Sequence, residues 1–257
     1  MRTSVLLALP LLLASCAFDK AAPIIEPPAQ TGDPLSLSLS GTVRLSDTTT
    51  FTDAEAAGEK LTLTSPVFDQ TTGVTIATLA STTVGADLSF TLTTTQAALD
   101  AQLRSVTEPE ADPNCTGTLN YAYDRATFKI IDRVDTMLLG DATGEQYLSL
   151  RPVGAAVPTL TDSFVLDYAN GPATITVDQT CTYDPGNGTT ATRRTKGTVK
   201  YHKGWNLHHL TITTSGSTTT STFADAALPN TFVLTPYPQP INTQALKRAM
   251  TPLFVTR

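Results

Sequence analysis

Charge is scarce in this chain. Lysine, arginine, aspartate and glutamate make up 16% of its 257 residues, and the formal net charge is −6. That balance excludes binding to nucleic acid through bulk electrostatics. Aromatic residues are few, at 7%, with a single tryptophan, and there are only three cysteines and three histidines. The longest apolar run, Val5 to Leu13, falls well short of the roughly 20 residues that a membrane-spanning helix needs. Catalytic signatures are missing too. There is no Gly-x-Ser-x-Gly, His-Glu-x-x-His, Ser-x-x-Lys or Gly-rich phosphate loop, so neither nucleophilic nor metal–water chemistry has a recognisable seat.

Threonine is abundant, at about 48 residues, many in runs such as Thr48-Thr49-Thr50 and Thr218-Thr219-Thr220. A β-branched residue with a hydroxyl suits the outward face of a half-solvated strand. The fold class expected is therefore all-β, built of antiparallel β-sandwich domains with one or two short helices. Period-2 alternation begins at Leu35, Leu37 and Leu39 and continues in phase through Val43 and Leu45. Further strands are expected at 60–64, 73–79, 87–93, 116–123, 126–131, 146–150, 164–168, 173–179, 195–202 and 206–214. Helices are expected over 95–103, capped by Thr95, and over 242–250, capped by Asn242 and stopped by Pro252.

The amino terminus carries the strongest local signal. Arg2 precedes the apolar run, and Leu13-Ala14-Ser15-Cys16 follows it. This arrangement resembles the lipobox of bacterial lipoproteins. It implies a signal peptide over 1–15 and lipidation of Cys16, whose thiolate takes a diacylglyceryl group as a thioether. One acyl chain anchors only marginally, so two or three are expected on Cys16, with the bilayer as partner. Ala17 stands where an aspartate would resemble an inner-membrane retention signal, which favours the outer membrane where two membranes are present. Residues 16–34 carry Pro23, Pro27, Pro28 and Pro34 and read as a tether of polyproline character.

An exported chain meets an oxidising compartment, so Cys115 and Cys181 are expected to form a disulfide. The acidic, proline-bearing stretch Glu108 to Pro113 suggests a boundary between a β-sandwich domain at 35–112 and a second β-rich domain at 113–257. Residues 33–112 hold 11 acids against 3 bases, whereas 113–257 hold 10 against 12. In the first half, Ser40-Gly41-Thr42-Val43 and Gly85-Ala86-Asp87-Leu88-Ser89-Phe90-Thr91-Leu92 resemble strands of carboxypeptidase-regulatory-like and transthyretin-like sandwiches. That resemblance implies a non-catalytic spacer or adhesion module; Leu88 stands where such modules place a glycine. Lys203-Gly204-Trp205-Asn206 resembles a hairpin recurring in uncharacterised β-rich bacterial surface lipoproteins, which implies location and architecture only.

The metal candidates are His202, His208 and His209. A two-residue turn at Lys203-Gly204 would set His202 opposite Trp205 and His208 opposite Val199, with the two histidines near 10 Å apart. That is too far for one zinc ion, and His208 and His209 point to opposite faces. Surface or packing roles are the expectation, with no metal and no cofactor. Arg193, Arg194, Lys196, Lys200 and Lys203 form a basic patch in a segment without acids between Pro185 and Ala224. It is read either as a polyanion-binding stripe or as a solvated edge where lysine discourages sheet association. Asp132 and Asp135 are the nearest thing to a paired carboxylate, and a strand would turn them to opposite sides. The function expected is a membrane-anchored envelope lipoprotein, a non-enzymatic structural or binding component that meets an envelope polymer or protein. The alternatives are a glycan-acting surface enzyme and a polyanion- or metal-binding lipoprotein.

Overall fold

The computed structural model describes residues 32–46, 52–69, 73–106, 108, 112–134, 136–140, 146–184 and 189–237. The alternation of serine with leucine and valine does what period 2 requires. In β1 (Ser38–Val43), Leu39 and Val43 are buried, and in β4 (Ser89–Thr93), Phe90 and Leu92 are buried. The two strands pair antiparallel, with Ser38–Thr93 and Ser40–Thr91 hydroxyl bridges on the outer face. Leu88, just before β4, has φ 67°, the left-handed region that favours glycine. Asp87 closes that turn by accepting from the backbone and hydroxyl of Ser89.

The remaining strands are β2 (Lys60–Asp69), β3 (Gly73–Thr83), β5 (Arg104–Ser105), β6 (Cys115–Ala122), β7 (Lys129–Ile131), β8 (Thr136–Leu139) and β9 (Gln146–Pro152). They continue with β10 (Asp162–Ala169), β11 (Ala173–Tyr183), β12 (Ala191–Tyr201), β13 (Gly204–Ser215), β14 (Thr218–Ala226) and β15 (Phe232–Pro236). One helix, α1 (Gln96–Gln102), follows β4, and its cap is the expected Thr95, whose hydroxyl accepts from the Ala98 amide. The expected helix over 242–250 lies outside the described residues.

The fold is all-β, in two curled sheets. A seven-stranded sheet has the order β3-β2-β8-β9-β15-β1-β4, and an eight-stranded sheet the order β5-β7-β10-β13-β14-β12-β11-β6. Two pairs are parallel rather than antiparallel, β1 with β15 and β12 with β14. At the first of these, Gly41 is forced: a Cβ there would lie 2.1 Å from the Phe232 carbonyl oxygen.

The expected boundary near residue 112 is corrected by this order. The seven-stranded sheet takes β1 to β4 from one side of the acidic break and β8, β9 and β15 from the other. Its core mixes Leu61, Leu63 and Leu92 with Leu148, Leu150 and Leu234. The break separates charge, not cores.

The eight-stranded sheet is buried on both faces where β10 and β13 meet. Leu166, Tyr168, Trp205 and Leu207 face the seven-stranded sheet, while Val165, Ala169 and Leu210 join a second core with Ile175, Val199, Tyr201 and Phe223. Strands covered on both faces lose their alternation and read as continuous apolar runs.

The turn at Lys203-Gly204 also departs from expectation. β12 and β13 do not pair, because β14 lies between them, antiparallel to β13 and parallel to β12. The short link crosses past the end of β14. Asn206 holds it, accepting from the His202 amide and donating to the His202 and Gly204 carbonyls. The chain entering the body docks on the same corner. The Trp205 amide donates to the Pro34 carbonyl, and its indole Nε1 donates to the Ser36 carbonyl, each at 2.8 Å.

Candidate functional site

The best-defined polar constellation sits on the inner face of the eight-stranded sheet, beside the Lys203–Trp205 corner. Register assembles it. β13 places His208 directly opposite Asp225 on β14, and β10 sets Asp167 opposite Asn206, one diagonal step from His208. Asp167 is 2% exposed, His208 3% and Asn206 0%. The Tyr201 hydroxyl, at the end of β12, donates to Asp167 Oδ2 at 3.1 Å. From the segment after β7, the Arg133 amide donates to Asp167 Oδ1 at 2.8 Å, with Arg133 held at φ 61°.

His208 lies between two carboxylates. Its Nδ1 is 3.2 Å from Asp225 Oδ1 and its Nε2 is 3.5 Å from Asp167 Oδ2, both within ion-pair range and neither in hydrogen-bonding orientation. Asp225 also accepts from the Lys200 amide at 2.9 Å, tying β12 to β14 where their ladder ends. Asp132 completes the group. Enclosure raises its carboxyl above the usual range, against the opposing pull of Arg133, a hydrogen bond with Asp167 and the charge of His208. Burial first, then the carboxylates of Asp167, Asp132 and Asp225, pushes the Tyr201 phenol well above its ordinary value.

Three carboxyl groups, an imidazole and a phenol therefore share one low-dielectric run. Burial favours the protonated forms of Asp132 and Tyr201 there. The nearly complete enclosure of Asp167, Asn206 and His208 closes it to a macromolecular substrate. Among the described residues, no group of three or more His, Cys, Asp or Glu is arranged to hold a metal ion.

The three histidines go to three places. His202 is exposed in the turn, His208 is enclosed among carboxylates, and His209 is half-exposed. The expected pairings of His202 with Trp205 and His208 with Val199 are corrected by the insertion of β14; His208 faces Val165 and Asp225 instead. His209 stacks on Phe164 at 4.8 Å between ring centroids, with Nε2 2.6 Å from Asp162 Oδ1. Asp132 finds Asp167 as its carboxyl neighbour, and Asp135 lies outside the described residues.

No protein-family model matches the chain, and neither the curated proteins nor the solved structures contain a match to it.

The basic residues divide by parity. Arg194, Lys196 and Lys200 share the outer face of β12, whereas Arg193 has the opposite parity and Lys203 is exposed in the turn. Arg194 binds Asp178 on β11, with N–O distances of 3.0 to 3.2 Å. Cys115 and Cys181 form the expected disulfide and stand opposite each other in the β6–β11 register. Cys16 lies outside the described residues.

Asp167, Tyr201 and Asp225 were not legible as site residues from spacing. One signal existed: Asp167 is a lone acid inside the apolar run Phe164-Val165-Leu166-Asp167-Tyr168-Ala169. An ionisable group in such a run needs partners on neighbouring strands.

Proposed function

We propose that this protein is a lipid-anchored component of a bacterial cell envelope, with Cys16 acylated and the β body carried on the tether of residues 17–34. Its role is non-enzymatic, structural or binding. The observation that carries the reading is Leu13-Ala14-Ser15-Cys16 at the end of a short apolar run that opens with Arg2. Two structural features are in keeping with it. The tether's last residues are gripped by the body, with the Gly32 amide on the Leu228 carbonyl and Pro34 and Ser36 on Trp205, so a pull from an anchor reaches the core. The disulfide suits an oxidising compartment.

The test is the intact mass of protein taken from the membrane fraction. A diacylglyceryl adduct on Cys16 is expected, and C16S should move the protein out of that fraction. An unmodified Cys16, or a C16S variant that stays with the membrane, overturns the reading.

A further inference from the structure

The outer face of the eight-stranded sheet carries a regular lattice. Across β6, β11, β12, β14 and β13, one row reads Thr118, Asp178, Lys196, Thr222 and Thr211. The next reads Thr116, Thr180, Arg194, Thr220 and Thr213. Neighbours within a row are about 4.8 Å apart, and rows are separated by about 7 Å along the strands. On these five strands Asp178 is the only acid of that face, and no large apolar side chain interrupts it beyond the part of β13 that packs on the core.

The cations of β12 run down the middle of this lattice. Asp178 is directly opposite Lys196 yet pairs with Arg194, and Lys196 and Lys200 make no ion pair among the described residues. In a chain of net charge −6, two unpaired lysines and an arginine are thus collected on one strand and flanked by hydroxyl donors. Arg194 and Lys196 are two residues apart, about 7 Å, and Lys200 continues the line about 14 Å further.

We infer that this face binds a linear, phosphate-bearing polymer lying along β12. Ammonium and guanidinium groups meet the charged oxygens, and threonine hydroxyls supply the shorter-range hydrogen bonds that a tetrahedral oxyanion accepts. A polymer with closely spaced phosphates keeps a charged group within reach of both Lys196 and Lys200, which stand about 14 Å apart along β12. The inference names a ligand for the binding component proposed above and rests on that reading for where the polymer is met. The contact itself is measured in solution and does not depend on the anchor.

The experiment titrates the detergent-solubilised full chain with linear inorganic polyphosphate, using neutral dextran as the control and varying salt. Affinity should fall steeply with salt, and the double variant K196E/K200E should lose at least tenfold. R193E, on the opposite parity of the same strand, should stay within twofold of the parent. Trp205 fluorescence and the melting temperature establish that each variant is folded. Unchanged binding by K196E/K200E, an equal loss in R193E, or preference for polyglutamate over polyphosphate overturns the inference. Failure of acylation would show in the mass of Cys16 and leave these titrations as they are.

Discussion

Asp132 is the residue whose chemistry should be easiest to see in solution. Its carboxyl is raised in the folded protein, chiefly by burial, so the folded chain keeps a proton that the unfolded chain gives up. The stability tied to that proton is full below the ordinary carboxylate range and is lost as pH rises through the folded-state value. Thermal melts from pH 3 to pH 8 should show this decline, and D132N should flatten it while melting no lower than the parent at pH 8. His208 makes the opposite test. H208A leaves Asp167 and Asp225 without the imidazole between them, at a cost of about 3 kcal/mol in urea unfolding. An H208A variant as stable as the parent would mean that the ring adds nothing to the packing around Asp167 and Asp225.

At the level of single strands, the disulfide fastens β6, a sheet edge, to β11. Its loop has a sequence separation of 66, and C115S should lower stability by about 2–4 kcal/mol, measured by denaturant titration with and without reductant. The strands themselves were mostly readable beforehand. Alternation found β1 and β4, and Thr95 announced α1, because each is half-buried or locally capped. β8, β14 and β15 escaped notice for definite reasons. β8 is four residues long, β14 begins as a run of threonines, and β15 is buried at every position and so shows no period. The apparent hairpin at Gly204 misled for another reason. Two strands joined by a tight link are expected to pair, and nothing in Lys203-Gly204 signals that Thr218 to Ala226 will come between them. The polar cluster was hidden by the same insertion, since Asp225 reaches His208 only through it.

For the molecule as a whole, the charge asymmetry that suggested two domains does not divide the sheets, since the seven-stranded one takes strands from both sides of residue 112. A fragment covering 113–257 lacks β1 to β4 and would expose Leu148, Leu150 and Leu234, whose core neighbours Leu61, Leu63 and Leu92 lie on the missing strands. It should therefore fail to give a cooperative melt, whereas two separable domains would give one each. Where the sequence did speak for the whole molecule, it did so through threonine. The outer rows of the eight-stranded sheet carry the hydroxyls that the composition advertised.

The placement of β14 and β15 has a consequence in time. Each slots into the interior of its sheet, β14 between β12 and β13, and β15 between β9 and β1. Residues 218–236 thus act as a pair of keystones that follow the other described strands in chain order. Until they are made, each sheet lacks a strand from its middle and neither ladder can be completed. A chain halted at residue 217 should remain protease-sensitive throughout, and one extended to 237 should become resistant in a single step.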